Sequence, residues 1–160
     1  MREQDLIQPE RKYIEVQYDP VTQRYLREYC IDNGFDLTVK FDGISTQSPE
    51  DFDFHSTVCF TTSEHVIENG SLECNIKVTP VGFALFGERK NILVLEVESQ
   101  GLTDMREYYA SEFQMEDEWP DYRPHITVCY NYDGDDVPEV PLPTKPLVAN
   151  QLNIKTQKKF

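Results

Sequence analysis

Residues 55–60 read His-Ser-Thr-Val-Cys-Phe, and residues 125–130 read His-Ile-Thr-Val-Cys-Tyr. A pattern that returns in this way asks for two equivalent strands, because its β-branched and aromatic residues suit a pleated, half-buried surface. Side chains alternate across a strand. Strict alternation therefore puts His55, Thr57 and Cys59 on one face and Phe54, Ser56, Val58 and Phe60 on the other. The second copy puts His125, Thr127 and Cys129 opposite Ile126, Val128 and Tyr130. The apolar face is made for a core, which leaves the His-Thr face for a cleft.

The rest of the chain divides around these two strands. Residues 11–18 alternate as a strand. Asp19-Pro20 reads as an N-cap with proline at the first helical position, predicting a helix over 21–33 that stops at Gly34. Val21, Tyr25, Leu26, Tyr29 and Cys30 would share its apolar face. Residues 35–52 read as strand and loop, with 43–49 a candidate flexible segment beside the first motif. Residues 54–61 form the first motif strand. Residues 72–86 and 91–98 form a hairpin whose tip is Gly87-Glu88-Arg89-Lys90. Leu102, Met105, Tyr109 and Phe113 have helical spacing over 102–113. Residues 124–130 form the second motif strand, 133–146 a surface loop, and 147–156 a last strand.

Each half thus supplies one helix and one motif strand. The expected fold is α+β, a single bilobal domain over 1–160. Two pseudo-symmetric lobes of mostly antiparallel strands would flank a central cleft, with helices on the outer faces.

Charge narrows the partners. The chain carries 29 acidic and 15 basic residues, a formal net charge of −14. Long polyanions are bound by Lys and Arg neutralising phosphates, so this balance argues against duplex DNA or long RNA. A small nucleotide held by a few local cations stays open. No apolar run reaches the ~20 residues of a membrane span, and no apolar stretch follows the first residues as in a signal peptide. The expectation is a cytoplasmic protein with no membrane partner. Cys30, Cys59, Cys74 and Cys129 lack metal or redox spacing and read as reduced, mostly buried thiols.

Paired histidines, each with a hydroxyl two residues on, suit acid–base cleavage of a phosphodiester. Histidine titrates near neutrality, so one ring can take a proton while the other gives one. Cleavage of a 3′–5′ bond beside a free 2′-hydroxyl needs that pair, and Thr57 and Thr127 would donate to the non-bridging phosphate oxygens. Sequence leaves open which histidine is the base. A metal reading is weak, because His and Cys four apart on a strand lie ~13 Å from each other, too far to share one zinc ion. A thiolate nucleophile would need an electropositive setting that the motifs do not supply. His65 reads as a surface histidine. The run Asp133-Gly134-Asp135-Asp136 lacks the EF-hand pattern. Lys40, Arg89, Lys90 and Arg123 are the cations best placed for phosphate, though Arg123 could equally pair with a carboxylate.

The two His-x-Thr strands resemble the signature of the two-histidine (2H) phosphoesterase superfamily, over roughly residues 13–156. In layout and size the chain resembles the anti-CBASS cyclic-nucleotide nucleases of tailed phages. The resemblance implies catalytic roles for His55, Thr57, His125 and Thr127, with no metal or cofactor. It implies a cyclic di- or trinucleotide substrate, cut through a 2′,3′-cyclic phosphate in the host bacterial cytoplasm. It also implies aromatics that sandwich bases, with Tyr13, Tyr25, Phe86 and Trp119 as candidates. Tyr13, Lys40, Phe86 and Arg123 are the expected substrate-binding set. Lys158-Lys159-Phe160 would contribute from a neighbouring subunit if the chain forms a homo-oligomer. Competing readings are an RNA 2′,3′-cyclic phosphodiesterase of the same superfamily and a non-catalytic nucleotide sponge or acidic decoy.

Overall fold

Asp19 accepts a hydrogen bond from the Thr22 amide at 2.7 Å, and Pro20 follows it at the first helical position. This cap separates strand β1 (Arg11–Tyr18) from helix α1 (Pro20–Asp32). The helix ends at Asn33, and Gly34 follows at φ 75°, a left-handed conformation that glycine enters without Cβ strain. The structure, a computed structural model, describes residues 11–62, 68–112, 114–115 and 122–157.

Strand β2 (His55–Thr62) carries the first motif. Strand β3 (Gly70–Phe86) and strand β4 (Ile92–Glu98) form the expected hairpin, with Gly87 at φ 90° and Lys90 at φ 53° in its tip. Helix α2 (Gln100–Glu112), the short β5 (Gln114–Met115), β6 (His125–Cys129) with the second motif, and β7 (Leu147–Gln157) complete the chain. Residues 133–146 contain no helix or strand. No helix among the described residues is long and apolar enough to cross a membrane.

The seven strands form one sheet in the order β5-β2-β1-β7-β3-β4-β6, and every pairing is antiparallel. The long β3 joins the halves. It pairs with β7 over residues 70–78 and with β4 over residues 79–86. The two lobes are therefore halves of a single α+β sheet. They are also interleaved, since α2 lies against β2 and Arg106 Nη1 donates to the Val58 carbonyl at 2.9 Å. One core serves both halves: Ile14, Val16 and Val58 belong to the same buried cluster as Leu26 of α1, Leu102 of α2, and Ile126 and Val128.

Two expectations need correction. Val21 does not join the apolar face of α1, being 78% exposed. Thr22 is buried instead, because its hydroxyl accepts the Val148 amide at 3.1 Å and ties the helix to β7. Residues 35–52 hold no strand. A single bridge between Val39 and Thr46 and a 3-10 turn (Pro49–Asp51) organise them.

Candidate active site

The motif strands stand apart in the sheet order, yet they touch. The Ser56 hydroxyl donates to the His125 carbonyl at 2.7 Å. The Tyr122 hydroxyl, just before β6, donates to the Thr57 carbonyl at 2.7 Å. The sheet is thus curled until the two motif strands lie side by side.

Each copy contains the same irregularity. Along β1 and β2, Ile14 pairs with Cys59 and Glu15 with Thr57, so Val58 is an extra residue. Along β4 and β6, Leu93 pairs with Cys129 and Val94 with Thr127, so Val128 is extra. An extra residue in one strand of a pair shifts every later side chain to the other face. Cys59 and Cys129 are consequently buried in the core beside Val58 and Val128, not on the histidine face as strict alternation requires. The aromatic residue takes the vacated place. Phe60 packs on the Tyr13 ring at 5.0 Å, and Tyr130 lines a cleft with His55.

Both imidazoles are held alike. Nδ1 of His125 lies 2.9 Å from the Arg123 carbonyl, and Nδ1 of His55 lies 3.2 Å from the Asp53 carbonyl. A carbonyl can only accept, so each Nδ1 carries the proton and each Nε2 is left for other chemistry. In both copies the anchor is the backbone two residues upstream.

The surroundings of the rings differ. The Asp53 carboxylate lies 3.8 Å from His55 Nδ1, and Gln17 Nε2 holds its other oxygen at 2.6 Å. His125 has the Phe86 ring edge-on at 4.7 Å. Burial pushes its pKa below the ordinary histidine value. The Arg123 carbonyl bond opposes that shift, and repulsion from His55 adds to it.

The threonines are also matched. The Tyr13 hydroxyl is 2.8 Å from Thr57 Oγ1, and the Tyr130 phenol lies beside Thr127. Burial raises both phenols, so both stay protonated and can donate. Each threonine can then aim its own hydrogen into the cleft.

Among the expected substrate-binding residues, Tyr13 and Phe86 touch the motifs, and Lys40 lines a cleft with His55. Arg123 is already engaged. Its guanidinium forks onto Glu96 at 2.8 and 2.9 Å and lies 5.0 Å from the Phe86 ring centre. The carboxylate partner weighed from sequence is therefore Glu96. The Tyr25 hydroxyl accepts the Thr144 amide at 2.8 Å and pins the 133–146 loop. Phe113, Trp119, His65 and the Lys158-Lys159-Phe160 tail lie outside the described residues.

Sequence reading overlooked Glu15, which stands beside Thr57 and is only 3% exposed. Lys155 binds one of its oxygens at 2.6 Å, while the other is buried without a partner. Glutamate at an alternating strand position gave no signal of burial. Glu15, Asp53 and His55 are the one described set whose donor atoms cluster closely enough, within 4.8 Å, to hold a metal ion. Lys155 and Gln17 already occupy two of those carboxylates, which suits an ion-pair network better than a metal. Cys30, Cys59 and Cys129 are buried free thiols, and Cys74 is half-buried and free. Burial raises the pKa of Cys30, Cys74 and Cys129, which disfavours a thiolate there.

Comparison with known proteins adds two findings. The family model for the anti-CBASS protein Acb1 matches residues 13–156. A solved structure, described as the crystal structure of a phosphoesterase, shares the fold with a TM-score of 0.50 at 10% identity. That likeness covers 91% of this chain and 87% of the other. No curated protein matches the chain.

Proposed function

The chain belongs to the family of the anti-CBASS protein Acb1, and from that premise we propose that it is a metal-independent phosphodiesterase acting on cyclic di- and trinucleotide signals. Its substrate would be a 3′–5′ bond beside a free 2′-hydroxyl, as in 3′,3′-cyclic GMP–AMP. His125, whose pKa burial lowers, takes the 2′-hydroxyl proton on Nε2 as that oxygen bonds to phosphorus. His55, with Asp53 as its counter-charge, gives the Nε2 proton to the departing 5′-oxygen as the P–O bond breaks. The product is a 2′,3′-cyclic phosphate, which water opens to a 3′-phosphate with the proton roles reversed. Thr57 and Thr127 donate to the non-bridging oxygens, where negative charge grows. The reaction would counter a bacterial antiviral messenger in the host cytoplasm, a compartment that suits four free thiols.

The observation that carries this reading is the matched anchoring of two imidazoles on strands joined by the Ser56–His125 hydrogen bond. That arrangement points both Nε2 atoms away from their anchors and supports one shared phosphate. A sponge or decoy has no use for it.

The test is incubation with 3′,3′-cyclic GMP–AMP in excess EDTA, followed by chromatography, beside a linear RNA ending in a 2′,3′-cyclic phosphate. Cleavage of the cyclic dinucleotide alone supports the proposal. An intact cyclic dinucleotide beside an opened RNA end gives the RNA-processing reading instead. Activity abolished only by EDTA refutes the metal-free mechanism.

A further inference from the structure

A cleft of about 180 Å³ opens beside His55, walled by Lys40, Phe41, Gln47, Asp51, Phe52, Asp53 and Tyr130. Pockets for drug-sized ligands run to roughly 300–1,000 Å³, so this one suits a single ring system rather than a whole dinucleotide. It lies outside the Tyr13, Phe86 and Arg123 surroundings of the two motifs.

The wall that carries Phe41 is built, not loose. The Val39–Thr46 bridge closes a narrow loop. The Lys40 amide donates to the Ser45 carbonyl at 2.8 Å, and the Gln47 amide to the Thr38 carbonyl at 2.7 Å. Asp42 accepts the amides of Ile44 and Ser45 at 2.9 and 2.8 Å. The loop base is tied to the end of β6 by Asn131 Nδ2, which donates to Asp36 Oδ2 at 3.1 Å. This frame holds the Phe41 ring 76% exposed in the wall of a cleft shared with His55. A lone exposed phenylalanine is ordinary. One fixed beside a candidate general acid, in a cleft also lined by Tyr130, offers a stacking surface to a planar ligand.

The polar groups of the cleft set its preference. The Asp51 carboxylate is acceptor-only when ionised and can take two parallel N–H donors. Guanine presents N1–H and N2–H side by side, whereas the matching edge of adenine puts an acceptor at N1. The Gln47 amide can donate to a carbonyl such as guanine O6. The Lys40 ammonium offsets the Asp51 and Asp53 carboxylates at the same rim, and Asp53 is already engaged by Gln17 and His55.

We propose that this cleft is a nucleobase subsite on the His55 side of the reacting phosphate. It takes a guanine stacked on Phe41, with Asp51 on the N1–H/N2–H edge and Gln47 on O6. The inference rests on the nucleotide-cleaving reading above, but its test does not require turnover.

Binding of guanosine 5′-monophosphate and adenosine 5′-monophosphate to the whole chain is measured by titration calorimetry. GMP should bind about tenfold more tightly than AMP, a difference of about 1.4 kcal/mol. Phe41→Ala should weaken GMP about tenfold and Phe41→Trp should restore it. Asp51→Asn should erase the preference for GMP. Both positions are exposed, so unchanged melting temperatures check that the variants fold. Equal affinities for the two nucleotides, or a preference that survives Asp51→Asn, overturns the subsite. So does a Phe41→Ala variant that changes only the oligomeric state, which would make the exposed Phe41 and Ile44 a contact between copies. A chain that binds GMP as described but cleaves no cyclic dinucleotide keeps the subsite and loses the proposed reaction.

Discussion

The Ser56 hydroxyl donates to the backbone carbonyl of His125 while lying 2.8 Å from the Tyr18 hydroxyl. Ser56 is wholly buried. It is the variable residue of the first His-x-Thr copy, and it positions the backbone of the second. Ser56→Ala would leave two buried polar groups without this partner, each costing ~1–3 kcal/mol. The expected result is a loss of about 2 kcal/mol in urea unfolding. A fall in kcat should accompany it, because the loss loosens His125. An unchanged midpoint and rate would remove the hydroxyl from this role.

His55→Ala and His125→Ala should each lower kcat by ~10²–10⁴-fold. The double variant should lose little more than the worse single, since groups acting as one unit are not additive. Single-turnover rates on 3′,3′-cyclic GMP–AMP measure this directly.

The pH–rate profile should be bell-shaped, with one ring neutral and the other charged. The base, His125, has a depressed pKa, mainly from burial. Activity should therefore be lost as pH falls through a value below the ~6.5 of free histidine. The alkaline limb follows loss of the proton from the general acid. NMR titration of the His125 ring checks the acid side, and a midpoint above 6.5 would count against its role as base.

Thr57→Ala or Thr127→Ala should lower kcat by ~10²–10³-fold, the usual cost of one charge-stabilising donor. Tyr13→Phe and Tyr130→Phe remove only the hydroxyls beside those threonines. A milder loss of about tenfold in kcat is expected, with KM little changed. Stability should hold for Tyr13→Phe, since the new ring keeps its packing on Phe60. A Tyr13→Phe effect confined to KM would make Tyr13 a binding residue instead.

Lys155 is the partner of a carboxylate whose side chain is only 4% exposed. Removing one member of a buried pair costs ~3–5 kcal/mol. Lys155 is itself 57% exposed, so a smaller loss of about 2 kcal/mol is expected for Lys155→Ala. Adding Glu15→Gln should recover part of it. Equal melting temperatures for all variants would show the pair to be energetically silent.

Several parts of this arrangement were legible in the chain itself. The Asp19-Pro20 start and Gly34 end of α1 are local signals, and the structure keeps both. Glycine and turn-forming residues at 87–90 marked the hairpin tip. The repeated His-x-Thr marked two strands whose histidines and threonines share a face. Other features had no local signal. Val21 looked apolar and faces out, because Thr22 is drawn inward by a partner 126 positions away. Glu15 carried no local signal of burial and finds its partner in Lys155 of β7, 140 positions away.

The bulges at Val58 and Val128 mark the division between what sequence and tertiary structure decide. Alternation within a strand and capping at a helix end depend on neighbours along the chain, so residue order alone determined the motif strands and the first helix. Whether two residues face one across a ladder depends on the partner strand, here β1 for one motif and β4 for the other. Only that pairing sent the cysteines into the core, set Phe60 on the Tyr13 ring and put Tyr130 in the cleft beside His55. Only the curl of the sheet joined the two motifs, because a contact between Ser56 and His125 is a property of the closed fold and of no segment within it.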